Sequence, residues 1–112
     1  MNISFESPYY NFILTEKIKS KDAYHKLLNW LKGDFDLYQI DELEGLKVYY
    51  PNGWFTIMNL SQSDEIVNME ISVKCKSKNC GLEIVRKIKS TYNHLVAIYK
   101  CELLVESNST EQ

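Results

Sequence analysis

Residues 45–60 read Gly-Leu-Lys-Val-Tyr-Tyr-Pro-Asn-Gly-Trp-Phe-Thr-Ile-Met-Asn-Leu. Two short runs rich in β-branched and aromatic residues flank Pro51-Asn52-Gly53. Asn-Gly between such runs is the strongest short-range hairpin signal, because both residues tolerate positive φ. Leu46, Val48 and Tyr50 share one side of the first arm; Phe55 and Ile57 oppose Trp54, Thr56 and Met58 on the second. Downstream, Val67, Met69, Ile71, Val73 and Cys75 alternate with Asn68, Glu70, Ser72 and Lys74. One dry face and one wet face mean an antiparallel sheet, and its dry face needs a cover.

The covers are amphipathic helices. After Ser20, a suitable N-cap, Ala23, Tyr24, Leu27, Leu28 and Leu31 recur on one helical face, and Gly33 is placed to end the helix at C′. After Ser77, Gly81, Ile84, Val85, Ile88 and Tyr92 form the inner face of a second helix, with its cations outside. Leu95, Val96, Tyr99 and Leu103 continue that stripe, so the C-terminal extension is read as helical. Tyr9–Ile18 alternates as a strand, Tyr10, Phe12, Leu14 and Ile18 on the buried side and Asn11, Thr15 and Lys17 on the other, with Glu16 interrupting the buried side after Leu14. Phe35–Ile40 is a further, acidic strand, and Asp41–Glu44 a loop or bulge. Residues 1–8 read as a loose lead-in ending at Pro8.

The expected fold is α+β: a four- to five-stranded antiparallel sheet with two amphipathic helices on one face, in the order strand, helix, strands, helix. A chain of 112 residues is one domain. It is placed at 1–105, with 106–112, Glu-Ser-Asn-Ser-Thr-Glu-Gln, a disordered polar tail.

The net charge of −2 argues against a nucleic-acid partner for the chain as a whole. No stretch approaches the roughly 20 apolar residues of a membrane span, so no membrane partner is expected. The N-terminal residues carry neither a basic region nor a long apolar run, and three cysteines make an odd count. Free thiols in a reducing cytoplasm follow as the expectation. Cys75, Cys80, His94 and Cys101 offer zinc-type ligands in a C-x4-C-x13-H-x6-C spacing that lacks a tight knuckle, and no metal or cofactor is assigned. With four glycines and nothing to orient His25 or His94 against a thiol, no enzymatic activity is assigned either.

The segments Gly45-Leu-Lys-Val48, Gly53-Trp-Phe-Thr-Ile57 and Ser72-Val-Lys-Cys-Lys-Ser77 resemble the C-terminal domain of the phosphohexomutases, the phosphoglucomutase and phosphomannomutase enzymes. The resemblance spans residues 10–92 and implies a strand, a helix, an antiparallel sheet and a helix. In that family the Gly-Trp strand leads into Arg-Pro-Ser-Gly-Thr-Glu-Pro, a phosphate loop. Here the chain reads Met58-Asn-Leu-Ser-Gln-Ser-Asp-Glu65, with Ser61, Ser63 and Asp64 where the family has Ser, Thr and Glu. The clamping Arg, the Gly and both Pro are absent, and carboxylates beside the serines repel an anion. The resemblance therefore implies a fold and, as an alternative function, a phosphosugar- or small-ligand-binding accessory domain using Ser61 and Ser63.

The leading expectation is a small non-catalytic protein-binding module. Residues 34–44 carry Asp34, Asp36, Asp41, Glu42 and Glu44 with no cation, and Tyr38 lies among them. Such an acidic, aromatic-rimmed face suits an immunity or inhibitor protein that masks a basic toxin or nuclease surface, with electrostatic steering to speed capture.

Overall fold

The computed structural model describes residues 1–36, 38–42, 45–61 and 65–110, with side chains as far as residue 99. Its elements are β1 (Asn2–Glu6), β2 (Tyr9–Ile18), α1 (Lys21–Asp34), β3 (Gln39–Asp41), β4 (Leu46–Tyr50), β5 (Gly53–Asn59), β6 (Val67–Cys75) and α2 (Lys78–Thr110). The described strands form one antiparallel sheet in the order β1-β2-β6-β5-β4-β3. The α+β class is as expected, but the sheet has six strands rather than four or five, and a strand pair rather than a single strand precedes α1.

The added strand is β1. Its side chains are all exposed, so no buried face announces it, yet Asn2–Glu6 pairs in register with Tyr9–Ile13 across the Ser7-Pro8 turn. The Phe5 and Tyr10 rings meet at 4.7 Å. The lead-in expected over 1–8 is therefore an edge strand, held by backbone pairing rather than burial.

The strand expected over Phe35–Ile40 is shorter and ends one residue later, at Gln39–Asp41, so Asp41 is in the strand rather than in the expected loop. Phe35 instead caps the C-terminus of α1: its N–H donates to the Leu31 carbonyl at 3.0 Å, and its ring meets Phe55 edge-on at 4.9 Å. Burying Phe35 carries the helix past Gly33, which sits inside the last turn rather than at C′. Ser20 caps the other end, accepting from the Ala23 N–H at 3.0 Å. The β4–β5 hairpin closes on the Tyr50–Gly53 pair, so Pro51-Asn52 forms its tip, and neither Asn52 nor Gly53 enters the left-handed region. Gly53 is needed for another reason. A Cβ there would lie 1.8 Å from the Lys74 carbonyl oxygen on β6.

The core lies between one face of the sheet and the two helices. Phe12, Val48, Phe55, Ile57, Ile71 and Val73 are fully buried on the strands, and Leu27, Leu31 and Ile88 on the helices. Ile18 is also buried, so the inner side of β2 resumes beyond Glu16. The inward stripe of α2 continues unbroken through Leu95, and Tyr99 packs against the core. Helix α2 packs across β2 and β6 and against α1. The Tyr92 hydroxyl fastens it to the end of β2, donating to the Lys17 carbonyl at 2.6 Å. The polar tail expected at 106–112 falls where no side chain is described. No helix among the described residues is long and apolar enough to cross a membrane.

Candidate functional site

Both helices pack on one face of the sheet, which leaves the other open. Strand register decides what stands there. Ser4, Asn11, Lys74, Trp54, Tyr49 and Gln39 form one row across all six strands. Lys47, Thr56 and Ser72 belong to the adjoining row, and Tyr9, two residues before Asn11, to the row on the far side.

These residues form an aromatic layer with cations laid on it. Tyr9 meets Trp54 edge-on at 5.1 Å. The Lys47 ammonium lies 4.8 Å from the Tyr49 ring centre and 5.4 Å from that of Trp54. Lys74 Nζ lies 5.6 Å from Trp54, and Lys76 Nζ 5.9 Å from Tyr9. Each such contact favours a cation over a ring by about 0.5–1 kcal/mol at exposed sites. The three lysine heads thus lie over the aromatic layer. Glu6, Glu70 and Asp41 share this face by register, Asp41 opposite Lys47, so it is mixed in sign with its cations gathered around Trp54.

Asn11 is the exceptional member. It is only 8 % exposed, and its Oδ1 has no hydrogen-bond partner. A buried acceptor left unsatisfied costs about 1–3 kcal/mol. It stands between Ser4 and Lys74 in the row that crosses the sheet, with its Oδ1 shut off from solvent.

The acidic residues singled out in the sequence are carried by different elements. The carboxylate of Asp34 accepts from the Thr91 hydroxyl at 3.1 Å, and its carbonyl from Lys87 at 3.4 Å, so it joins α1 to α2. Glu42 pairs with Lys32 at 2.7 Å. Asp41 belongs to the open sheet face, while Asp36 is exposed in the turn after α1. Tyr38 is 42 % exposed beside Phe35, in a shallow cleft with Tyr50, Glu83 and Lys87. Glu44 lies outside the described residues.

Of the two serines, Ser61 turns inward on its own loop. Its N–H donates to Asn59 Oδ1 at 2.9 Å, and its hydroxyl lies 2.9 Å from both Asn59 Oδ1 and the Ile66 carbonyl. The hydroxyl proton is committed there. Ser63 lies outside the described residues.

Cys75 is fully buried at the end of β6, and Cys80 sits in the first turn of α2. Burial, then the adjoining Cys75 thiol and Glu83, push the Cys80 thiol up to about 11, which suppresses the nucleophilic thiolate at neutral pH. His94 packs edge-on against Trp30 at 5.7 Å, and His25 is exposed beside Tyr24. Among the described residues no three His, Cys, Asp or Glu side chains cluster as metal ligands do. The Cys101 side chain lies outside the described residues.

The sequence placed Trp54, Thr56, Ser72, Lys74 and Asn11 on wet faces one strand at a time. Only the pairing of β2 with β6 and of β6 with β5 brings Asn11, Lys74 and Trp54 into one row. No protein-family model matches the chain, and no curated protein is detectably similar to it.

Proposed function

We propose that this chain is a small non-catalytic protein-binding module that holds its partner on the open face of its sheet. The observation carrying this reading is the row in which unsatisfied, buried Asn11 adjoins Lys74 and Trp54. Tryptophan and tyrosine at the centre of a patch, with charged groups around them, match the composition of interface hot spots.

The reading moves the binding surface away from residues 34–44. There Asp34 and Glu42 are already engaged within the chain, which weakens the case for an inhibitor of a basic toxin or nuclease surface. A phosphosugar-binding role loses support at Ser61 in the same way, because its hydroxyl closes its own loop.

Quantitative capture from the native cell tests the proposal with three baits: the wild-type chain, a Trp54→Ala/Lys74→Ala variant, and an Asp36→Ala/Tyr38→Ala variant. A partner retained by the first and third baits and lost from the second supports the open face. The opposite pattern returns the function to residues 34–44.

A further inference from the structure

The open face also carries information about what its partner is made of, and the inference drawn from it rests on the reading just given. We infer that the partner presents an extended acidic segment of protein, rich in Asp or Glu, to Lys47, Lys74 and Lys76.

Charge complementarity is the first argument. The ammonium groups of all three lysines lie over aromatic rings on this face. An anion that meets a cation already held in place loses less ordering entropy than one that must fix a free side chain. Spacing is the second argument. Register puts Lys47 two strands from β6, in the row of Ser72, and Lys76 lies four residues beyond Ser72. With strands about 4.8 Å apart and about 3.3 Å per residue, the backbones of Lys47 and Lys76 are about 16 Å apart, the reach of about five extended residues. Cations based that far apart suit an extended segment carrying several carboxylates.

Carboxylates on the same face separate protein from nucleic acid as the partner. Glu6, Glu70 and Asp41 stand on the same face, and the chain carries a net charge of −2. A continuous phosphate backbone meets repulsion from both at every residue, whereas a peptide can set carboxylates against the lysines and uncharged residues against Glu6, Glu70 and Asp41. The aromatic faces that would stack bases are those the lysine heads already occupy.

The test is a titration of the full-length chain with a fluorescein-labelled Glu-rich peptide, followed by anisotropy at low salt. A Trp30→Phe background leaves Trp54 as the tryptophan reporter. Saturable binding is expected, weakening with salt and changing Trp54 emission. Lys47→Gln/Lys74→Gln should weaken it by about tenfold or more, while Lys78→Gln/Arg86→Gln on α2 should leave it unchanged. Circular dichroism checks that each variant folds, and the Gln side chains keep the first two methylenes of each lysine stem. Absence of peptide binding overturns the inference. Tighter binding of a single-stranded oligonucleotide of equal charge, with Trp54 still responding, overturns the acidic-protein assignment and leaves the open-face reading standing. Binding that is lost with the α2 variant and kept by the sheet variant overturns both.

Discussion

The Phe12 ring lies so close to Gly81 that a Cβ on the glycine would sit 2.3 Å from Cε2 and 2.9 Å from Cζ. Phe12 is fully buried, so its ring can shift only by displacing the core around it. Alanine for glycine inside a helix ordinarily gains about 1 kcal/mol. Here overpacking, which costs about 1–3 kcal/mol, opposes that gain and outweighs it. Gly81→Ala is expected to lower the urea midpoint, and a raised midpoint would show that α2 seats on the sheet differently.

Tyr50 joins the hairpin to β6. Its hydroxyl donates to the Lys74 carbonyl at 2.8 Å, directly behind the row that bears Lys74 and Trp54. Tyr50→Phe should cost about 0.5–1.5 kcal/mol in denaturant unfolding. Gly53→Ala should cost more, because its Cβ would collide with the same carbonyl, whose oxygen would be 1.8 Å away. The reverse order would mean that the hydroxyl, not the close backbone approach, holds this corner.

Alkaline pH should loosen the same corner. Burial pushes the Cys80 thiol from the ordinary 9.0 up to about 11, and burial, then Cys75 and Cys80, raises Tyr50 well above 10.0. A raised folded-state value favours the neutral group in the native state. The stability it contributes is therefore complete below the unfolded value and is lost as pH rises through the folded one. For Cys80 the loss falls between pH 9.0 and about 11. Thermal melts across that window should show falling stability, with a shallower fall in Cys80→Ala. An unchanged slope in that variant would assign the loss to other groups.

The start of α1 offers an independent check on local structure. Ser20 Oγ takes the Ala23 N–H, one of the donors a helix leaves unpaired at its beginning. Ser20→Ala should destabilise the protein by about 1 kcal/mol, and Ser20→Gly by only a few tenths. Equal losses would indicate that the hydroxyl bond is not what sets this helix end.

Periodic burial made much of this fold legible. Val67–Cys75 alternates in the structure as it does in the sequence, and Ala23, Tyr24, Leu27, Leu28 and Leu31 are the buried face of α1. Where burial does not alternate, the sequence is silent. The exposed strand β1 has no dry face to reveal it, and Phe35 carries α1 beyond a glycine that reads as a stop. The candidate site was hidden for a different reason. Asn11, Trp54 and Lys74 are ordinary outward residues on three separate strands, and their neighbourhood is created by register alone. Asn11 looks like a solvated side chain in sequence and is buried in the sheet.

The most direct measurement is a heteronuclear NMR titration of the labelled chain with the Glu-rich peptide, following the Asn11 side-chain amide and the Trp54 indole N–H. Both signals should shift together and saturate in step, along with the backbone amides of Lys47 and Lys74, while those of α1 stay in place. Shifts confined to α2 or to residues 34–42, with Asn11 and Trp54 unmoved, would contradict the account.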